Sequence, residues 1–473
     1  MTITLLIAAL FSVLSFSRVS ASFPDQKIYG VNIGSWLVFE PWMAEQEWKE
    51  MGGEQCDDCS LCIRSEWALT KAYPDTADTL FQNHWASWFT QDDVDQLVQA
   101  QINTVRIPLG FWIIEPLVDC STEFYPKGGI LHLVRTILPS TLKRGLQMLR
   151  DAGINVILDH HALPGVAAVN QMFAGNCTYQ PQFYTSWNYD RALAWTAVMT
   201  TLAHLDPDFA SVVSIQAANE PIMDANQTPG YGEFQTNFVQ VVRSVELLLG
   251  ITVAGEAHGD LSDVSTSHNI NLNTTLSRVS QLSSLNAEVQ SALQVALPVL
   301  QEMAADYGMG SIFTFSAPSR DPLVTNFMDV NWQYHNPSNP SSAVMGPQAY
   351  DNHLYYSFGG VADATESAYL TSICNLGRVA ADAALGNSPL WFGEWALSTQ
   401  FDATDDFLKK WADAQKLTYS QGAGWLFWNF KIENSDLEGD YPRQWSYFEG
   451  LKRGYLTQDP EAMHNPQVCE PYM

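Results

Sequence analysis

Residues 212–221 read Val-Val-Ser-Ile-Gln-Ala-Ala-Asn-Glu-Pro, and residues 389–395 read Pro-Leu-Trp-Phe-Gly-Glu-Trp. Each run is apolar enough to form a buried parallel strand, and each ends with an acid, Glu220 or Glu394, beside a Pro or Gly that stops the strand. Such an acid lies at the carboxyl end of its strand, where a (β/α)8 barrel builds its active site. One glutamate of this kind would be a weak signal. Two of them predict a barrel with paired carboxylates at its catalytic face.

Strand-like and helix-like segments alternate along the rest of the chain, as they do in α/β folds. Strands are predicted at residues 27–37, 102–109, 154–161, 212–220, 311–315, 348–358, 390–397 and 422–431. Helices are predicted at residues 91–101, 140–152, 231–249 and from about 285 to 307. Eight βα-like units predict an α/β fold, a (β/α)8 TIM barrel with loop insertions. We expect one domain over residues 22–473, with insertions near 51–84 and 250–285.

The first 21 residues have the pattern of a secretory signal peptide. An apolar run extends from Ile3 to Phe16, and Val-Ser-Ala at 19–21 offers a small-residue cleavage site. The run is too short to span a membrane, and no later segment predicts a membrane anchor. We therefore expect a secreted protein, extracellular or in a cell wall. Three glycosylation triplets agree with that route and begin at Asn176, Asn226 and Asn273.

The charge balance limits the partners of this protein. The chain has 51 acidic and 23 basic residues, a formal net charge of −28. A field of that sign argues against nucleic acid or an anionic membrane as partner. The 16 Trp and 18 Tyr residues supply flat apolar faces with polar edges, which suit sugars. A neutral polysaccharide or oligosaccharide fits best, and we expect the protein to act as a monomer.

Seven cysteines predict up to three disulfides and one free thiol in an oxidising compartment. They are Cys56, Cys59, Cys62, Cys120, Cys177, Cys374 and Cys469. The close spacing of the first three also permits a zinc site, since thiolates at that spacing can share a tetrahedral ion. A fourth ligand is missing nearby, so disulfides that pin loops are the preferred interpretation. The pairing cannot be read from the sequence.

Seven short motifs occur in a characteristic order. They are Gly-Val-Asn-Ile-Gly-Ser-Trp-Leu-Val-Phe-Glu-Pro-Trp at 30–42, Asn-Thr-Val-Arg-Ile-Pro at 103–108, Asp-His-His-Ala-Leu-Pro-Gly at 159–165, Asn-Glu-Pro at 219–221, Asp-Asn-His-Leu-Tyr at 351–355, Gly-Glu-Trp at 393–395 and Trp-Leu-Phe-Trp-Asn-Phe-Lys at 425–431. With these motifs the chain resembles the fungal exo-β-1,3-glucanase branch of glycoside hydrolase family 5. The resemblance covers most of the chain.

The resemblance implies a retaining glycosidase with Glu220 as acid/base and Glu394 as nucleophile. A retaining mechanism needs carboxyl groups about 5 to 5.5 Å apart, one ionised for attack and one protonated for donation to the leaving oxygen. Two carboxylates suffice for this chemistry, so we expect neither a metal nor a cofactor. The expected partner is a β-glucan polysaccharide or oligosaccharide.

Several polar residues are expected to support the two glutamates. Arg106, at the tip of the second strand, is the expected cation beside Glu394. Asn219 is expected, by family analogy, to bond the sugar's 2-hydroxyl, where a hydrogen bond strengthens in the transition state. His161 and His353 are expected to bond sugar hydroxyls or to orient the glutamates.

Other residues are assigned to the substrate. Tyr355 lies on the same strand face as the histidine two residues before it and is expected to donate to the nucleophile. Trp428 is the candidate floor under the reactive sugar, and Phe430 either shares that floor or packs beneath it. Glu40 and Trp36 are candidates for contact with the far end of the substrate, with a structural role as the alternative.

Two departures from the family pattern affect substrate choice. The residues after Gly165 are Val-Ala-Ala-Val-Asn, and Phe430 replaces the second Trp of the last motif. Both lie near the predicted sugar-binding rim. The leading hypothesis is an exo-β-1,3-glucanase that releases glucose, and the first alternative is a β-1,6-glucanase or an endo-acting β-glucanase of the same fold. A non-catalytic glucan-binding wall protein is the third, against which two intact glutamates argue.

Overall fold

Eight parallel strands close into a barrel. The computed structural model describes residues 26–128, 141–251, 253, 270–271, 285–307, 314–315, 320–332 and 339–473. The barrel strands are β1 (Ile28–Asn32), β2 (Thr104–Gly110), β3 (Asn155–Ala162), β4 (Val212–Gln216), β5 (Val324–Met328), β6 (Gln348–His353), β7 (Leu390–Glu394) and β8 (Gly424–Phe427). They pair in chain order, and β8 closes the sheet against β1. The predicted (β/α)8 barrel is confirmed.

Helices surround the barrel. They are α1 (Glu45–Glu50), α2 (Glu66–Ala72), α3 (Ala77–Trp88), α4 (Gln91–Gln99), α5 (Thr141–Asp151), α6 (Ser186–Leu205), α7 (Tyr231–Leu248), α8 (Ala287–Tyr307), α9 (Glu366–Cys374), α10 (Arg378–Ala384), α11 (Asp405–Tyr419), α12 (Tyr441–Trp445) and α13 (Tyr447–Lys452). Short 3-10 turns lie at Pro41–Met43, Phe111–Ile113, Glu115–Leu117, Met172–Ala174, Pro207–Phe209, Pro340–Ala343 and Glu470–Tyr472. Within the described residues, none of these helices is long and apolar enough to cross a membrane.

Local sequence signals fix where the helices begin. The Thr404 hydroxyl accepts a hydrogen bond from the Phe407 N–H at the start of α11, and Asp405 and Asp406 occupy its first turn. A side-chain cap satisfies an otherwise free backbone N–H, and acids in the first turn complement the helix dipole. α6 begins in the same way, because the side chain of Thr185 accepts from the next turn. These caps mark where α6 and α11 begin.

An apolar plug fills the barrel interior below the catalytic face. Six strands contribute one buried side chain each, namely Ile28, Ile157, Val324, Ala349, Trp391 and Leu426. Fully burying a side chain of the size of Val, Ile or Leu contributes roughly 1.5–3 kcal/mol. The plug excludes water from the base of the barrel. The polar residues at the carboxyl ends of the strands therefore lie against an apolar layer, where their electrostatic interactions are strong.

The prediction of the fifth strand was wrong. Thr314–Phe315, within the predicted strand 311–315, pairs antiparallel with Ile270–Asn271 outside the barrel. The fifth barrel strand is β5, which pairs with β4 and β6. β5 carries Thr325 and Asn326, both wholly buried, and the Asn326 amide donates to the Ala349 carbonyl. These two consecutive polar residues, one on each face of the strand, break the apolar pattern on which the prediction depended.

Several predicted strands extend too far toward their carboxyl ends. The sixth, seventh and eighth were predicted to reach residues 358, 397 and 431, whereas β6, β7 and β8 end at His353, Glu394 and Phe427. The fourth ends at Gln216, so Glu220 lies in the following loop. The chain stays buried just beyond β4, β7 and β8, and a buried loop has the same apolar sequence pattern as a strand. Beyond β6 the burial is mixed, and Phe358 is exposed.

Three disulfides join segments that lie outside the barrel strands. They join Cys56 to Cys62, Cys59 to Cys177, and Cys374 to Cys469, and they leave Cys120 as an exposed free cysteine. The disulfide interpretation is confirmed, because the three clustered sulfurs that could have held zinc are all bonded. Region 51–84 is partly helical and is joined through Cys59 to the loop after β3. Residues 1–21, most of 250–285 and the Asn273 acceptor lie outside the described residues.

Candidate active site

The carboxyl ends of the barrel strands bring the predicted catalytic residues together. Arg106 lies on β2, His161 on β3, His353 at the end of β6 and Glu394 at the end of β7, while Glu220 lies in the loop after β4. All but Glu220 are buried. Residues that are far apart in the sequence thus share one polar cluster above the apolar plug.

Glu394 is held by three donors. Its Oε1 accepts a hydrogen bond from Arg106 Nη1 at 2.9 Å, and its Oε2 accepts one from the Tyr355 hydroxyl at 2.8 Å. His353 Nδ1 lies 3.4 Å from the same Oε2. Burial raises the pKa of Glu394, and the charges of His353 and Arg106 oppose that rise. Donors aimed at both oxygens favour the ionised carboxylate, which is the form that a nucleophile needs.

Glu220 faces Glu394 from an unusual backbone conformation. Its φ angle is 39°, in the left-handed region that residues with a Cβ rarely adopt. Glu220 Oε1 lies 2.8 Å from His353 Nδ1, and a Glu220 oxygen lies within 4.8 Å of a Glu394 oxygen. Inverting glycosidases separate their carboxyl groups by about 6.5–9.5 Å to admit a water molecule. The short separation here is typical of the retaining arrangement.

His353 bridges the two glutamates. Burial alone would lower the pKa of this imidazole, but Glu394, Asp351 and Glu220 outweigh burial and raise its pKa to about 10. The ring therefore carries two protons near neutral pH. Its Nδ1 donates toward the glutamates, and its Nε2 lies 3.5 Å from Asp351 Oδ2. This imidazolium offsets part of the repulsion between two carboxylates that lie so close.

Arg106 organises the opposite side of the cluster. Its Nε donates to Gln216 Oε1 at 2.8 Å and its Nη2 donates to Asn219 Oδ1 at 2.7 Å. Nη2 also lies 3.0 Å from Asp159 Oδ2, and Nε lies 3.6 Å from Asp351 Oδ2. The guanidinium is planar and has five donors, so a single side chain can hold several acceptors in a fixed geometry. A lysine could not replace it.

The three groups Glu220, His353 and Glu394 lie close enough together to suggest a metal site. A metal ligand must offer a lone pair, and a histidine does so only when its ring is neutral. Because the pKa of His353 is raised to about 10, its ring is a proton donor to these carboxylates. A metal ion here would have to displace the proton that His353 Nδ1 shares with Glu220, whereas the hydrogen bonds that the structure shows suit acid/base chemistry.

The residues assigned to the substrate form one side of the site. Glu40 is buried, and its Oε2 accepts from the Trp42 indole at 2.8 Å, while its Oε1 has no hydrogen-bond partner among the described residues. Burial raises the pKa of Glu40 to about 7. The rings of His161 and Trp428 stack with their centroids 5.6 Å apart, and His161 Nδ1 lies 2.6 Å from Asp159 Oδ2.

Free polar atoms at this wall point to a polar ligand. The Nε2 of His161 is also without a hydrogen-bond partner in the described residues. Buried polar atoms are normally satisfied, so an unpaired acceptor on Glu40 and an unpaired ring nitrogen on His161 are open positions for hydroxyl groups. With the flat face of Trp428 beside them, they form a surface that a sugar ring fits.

Two predicted contacts have a packing role instead. Trp36 is fully buried, and its indole donates to the Trp85 carbonyl at 2.9 Å, so it belongs to the shell between the barrel and α3. Phe430 is also fully buried, and its ring contacts Trp88 and Phe89. Of the two possibilities for Phe430, packing beneath the floor is the one found.

The sequence interpretation did not assign a role to Asp159 or Asp351. Both are fully buried beside Arg106, and the pKa of Asp159 is lowered because Arg106 and His161 outweigh the effect of burial. Asp351 Oδ1 accepts from the Gly393 N–H at 2.7 Å, which fixes the peptide before Glu394. The available signal was an acid inside a predicted parallel strand, since a buried charge needs a partner.

Comparison with protein families gives one family match. The model described as Cellulase (glycosyl hydrolase family 5) matches residues 72–434. This range includes both glutamates and seven of the eight barrel strands. The crystal structure of rutinosidase from Aspergillus niger superposes with a TM-score of 0.57 over 91% of this chain and 97% of its own. It is 16% identical, so it supports the fold alone.

Two curated relatives differ in how much of the chain they match. Glucan endo-1,6-beta-glucosidase B of Emericella nidulans is 29% identical over 97% of this chain and 92% of its own length. Probable glucan 1,3-beta-glucosidase A of Aspergillus clavatus is 28% identical, but over 59% of this chain and 63% of its own length. The first relative therefore matches a larger part of this chain than the second.

Proposed function

Because the chain belongs to glycosyl hydrolase family 5, we propose that it is a secreted, retaining endo-β-1,6-glucanase. The observation that carries the linkage is the match to the glucan endo-1,6-beta-glucosidase of Emericella nidulans, which extends over 97% of this chain. The match to a glucan 1,3-beta-glucosidase covers 59%. The seven motifs serve the bond-breaking chemistry common to such enzymes, so they are weak support for exo-β-1,3 action. The full-length similarity is stronger support for endo-β-1,6 action.

The proposed reaction proceeds in two displacements. Glu394 attacks the anomeric carbon while Glu220 donates its proton to the departing glycosidic oxygen, and a covalent glycosyl-enzyme forms. Glu220, now a carboxylate, then takes a proton from water, and the water oxygen displaces Glu394 with overall retention. The separation of less than 4.8 Å between oxygens of the two groups supports this sequence of steps.

The neighbours of the glutamates fit these roles. Arg106 and Tyr355 each donate to one oxygen of Glu394, which keeps the nucleophile oriented before attack. Asn219 is fixed by Arg106 next to the acid, where the 2-hydroxyl of the reacting sugar is proposed to bind. Glu40, His161 and Trp428 are proposed to hold the remaining hydroxyls and the ring face.

An exo-β-1,3-glucosidase is the second candidate. The ordered motifs and the partial match to the Aspergillus clavatus 1,3-glucosidase favour it. The non-catalytic wall protein is not proposed, since family membership and an intact pair of glutamates with their donors speak for hydrolysis. Secretion remains part of the proposal, and three disulfides support an oxidising compartment. A monomeric state and the absence of a cofactor are proposed with it.

A time course on two polymers tests the function. The secreted protein is incubated with pustulan, a β-1,6-glucan, and with laminarin, a β-1,3-glucan, and the products are resolved by size. We expect oligosaccharides before glucose from pustulan, and little release from laminarin. Glucose alone from laminarin at the earliest time points would favour the exo-β-1,3 candidate. The Glu394→Gln variant is the control, and unchanged hydrolysis by it would contradict the mechanism.

A further inference from the structure

A buried tyrosine joins two loops at the catalytic face. Tyr184 lies between β3 and α6. Its hydroxyl accepts a hydrogen bond from the Ile222 N–H at 2.7 Å and donates one to the Ala167 carbonyl at 2.8 Å. Burial raises the pKa of this phenol, so the oxygen keeps its proton and serves both partners at once. Tyr184 therefore connects the loop after β3 to the loop after β4, which carries Glu220.

The bond to Ile222 lies where the backbone needs support. Glu220 has a φ of 39°, and a strained conformation of this kind persists only where the surrounding structure over-determines it. Pro221 has no N–H to offer. The Ile222 N–H is therefore the first backbone donor after Glu220, and the Tyr184 hydroxyl is its acceptor.

Other groups fix the chain before Glu220. The Asn219 N–H donates to the His160 carbonyl at 3.1 Å, and the Asn219 side chain accepts from Arg106 at 2.7 Å. These bonds tie the residue before the acid to β3 and β2. The strained residue is thus held on both sides, and loss of the Tyr184 hydroxyl removes the restraint on its carboxyl-terminal side.

Packing fixes the position of the Tyr184 hydroxyl. The ring makes edge contacts with Phe183 and Tyr231, at centroid distances of 5.3 Å and 6.1 Å. The neighbouring backbone is held as well, because the Phe183 N–H donates to the Val166 carbonyl at 3.1 Å. Val166 and Ala167 belong to the Val-Ala-Ala-Val-Asn stretch that departs from the family pattern. That stretch is therefore connected to the acid/base loop through Tyr184.

We propose that Tyr184 is a positioning residue for the general acid: its hydroxyl holds the chain after Glu220, so that the carboxyl stays aimed at the departing glycosidic oxygen. The proposal rests on the proposed function, in which Glu220 donates that proton. A general acid must lie within hydrogen-bond reach of the atom that it protonates, and a misplacement of about 1 Å can lower a rate by about 10²-fold. The hydroxyl bonds two backbone groups, so Tyr184 acts through the backbone.

The test compares two substrates whose leaving groups differ in their need for a proton. Tyr184→Phe removes the hydroxyl and keeps the ring. On pustulan, we expect kcat/KM to fall by about 10- to 100-fold, because departure of a sugar alcohol requires a well-placed acid. The second substrate is a dinitrophenyl glycoside of a β-1,6-linked glucose disaccharide, whose leaving group needs no proton. On it, kcat/KM should stay within about twofold of the wild-type value.

Tyr189→Phe is the matched control. Tyr189 is buried in the same aromatic cluster, with its ring 5.1 Å from that of Phe183. Its hydroxyl donates to the Pro229 carbonyl at 2.8 Å, at the end of the loop next to α7. The variant removes one tyrosine hydroxyl and leaves the bond to Ile222 in place, so kcat/KM on both substrates should equal that of the wild type.

Equal effects on the two substrates would overturn the proposal. A tyrosine with a merely structural role affects both activities alike, so Tyr184→Phe would then lower both values by the same factor or leave both unchanged. If this variant does not fold, hydrogen exchange of the wild type decides. The Ile222 amide should exchange at least about 10²-fold more slowly than an exposed amide, and exchange at the rate of an exposed amide would overturn the proposal.

Glu220→Gln separates failure of this proposal from failure of the proposed function. If Glu220→Gln shows the dependence on leaving group and Tyr184→Phe does not, only the positioning role fails. If Glu220→Gln loses both activities equally, Glu220 is not the acid, and the mechanism fails together with the positioning role. If laminarin is cleaved and pustulan is not, the linkage is wrong, and the same comparison is made with laminarin and a β-1,3-linked disaccharide glycoside.

Discussion

The Tyr355→Phe variant isolates one hydrogen bond to the nucleophile. The Tyr355 hydroxyl donates to Glu394 Oε2 at 2.8 Å, and its ring packs against Trp445 and Phe358. Phenylalanine keeps that packing, so the fold should persist. A hydrogen bond to an ionised group is worth roughly 1.5–3 kcal/mol. Its loss destabilises the carboxylate but not the carboxylic acid, so the pKa of Glu394 must rise.

The size of the pKa change in Tyr355→Phe follows from this hydrogen-bond energy. One pKa unit corresponds to 1.36 kcal/mol, so the pKa of Glu394 should rise by about one to two units. The nucleophile works when ionised, and activity is lost as the pH falls through its pKa. The pH profile of kcat/KM reports the pKa values of groups in the free enzyme. Its acidic limb should therefore move to higher pH by about the same amount. The measurement is the pH dependence of kcat/KM on pustulan.

The adjacent residue supplies a matched control. Tyr356 is buried, and its hydroxyl lies 3.1 Å from Ser372 Oγ, away from the glutamates. Tyr356→Phe also removes one tyrosine hydroxyl but should leave the acidic limb in place. If the limb of Tyr355→Phe coincides with that of the wild type, the hydroxyl does not control the ionisation of Glu394 and our account of the nucleophile is wrong.

Three further predictions follow from the site and the disulfides. Glu220→Gln should lower kcat/KM on pustulan by about 10²–10⁴-fold, because general acid assistance is lost. The same variant should retain most activity on a dinitrophenyl glycoside, whose leaving group needs no proton. Glu394→Gln should abolish activity on both substrates, and equal losses in the two variants would argue against the assigned roles. Arg106→Lys leaves buried carboxylates poorly paired, so we expect a loss of roughly 3–5 kcal/mol in unfolding free energy, measured by urea titration; wild-type stability would contradict the network. Replacing Cys59 and Cys177 together by Ser opens a loop of 118 residues and should cost up to about 5 kcal/mol relative to the oxidised wild type, measured by the same titration. A stability equal to that of the oxidised wild type would show that the crosslink contributes nothing.

Much of the fold could be predicted because local patterns and global topology agree. Parallel strands buried on both faces read as apolar runs, and their alternation with helices admits few arrangements other than a barrel. The exception is β5, where two consecutive buried polar residues, Thr325 and Asn326, interrupt the apolar run. The strand ends were also misplaced, since loops such as that of Glu220 are buried for reasons of function rather than pairing.

Only part of the site could be predicted from the sequence. Glu220 and Glu394 are visible because each ends an apolar run. Asp159 and Asp351 could not be given a role, since their importance depends on Arg106, a partner distant in the sequence. The linkage was hardest to predict, because the motifs contain the residues that break the bond and say little about the loops around them.

The backbone of Glu220 has an evolutionary consequence. A residue with a Cβ in the left-handed region carries a penalty of roughly 1–2 kcal/mol, which glycine escapes. We expect selection for hydrolysis to keep glutamate at this position despite the φ of 39°. A descendant that lost its catalytic role and survived as a binding protein would gain stability from glycine or asparagine there. The residue at position 220 should therefore be substituted early in any such lineage. The residue type found there in a homologue should distinguish active enzymes from proteins that have lost catalysis.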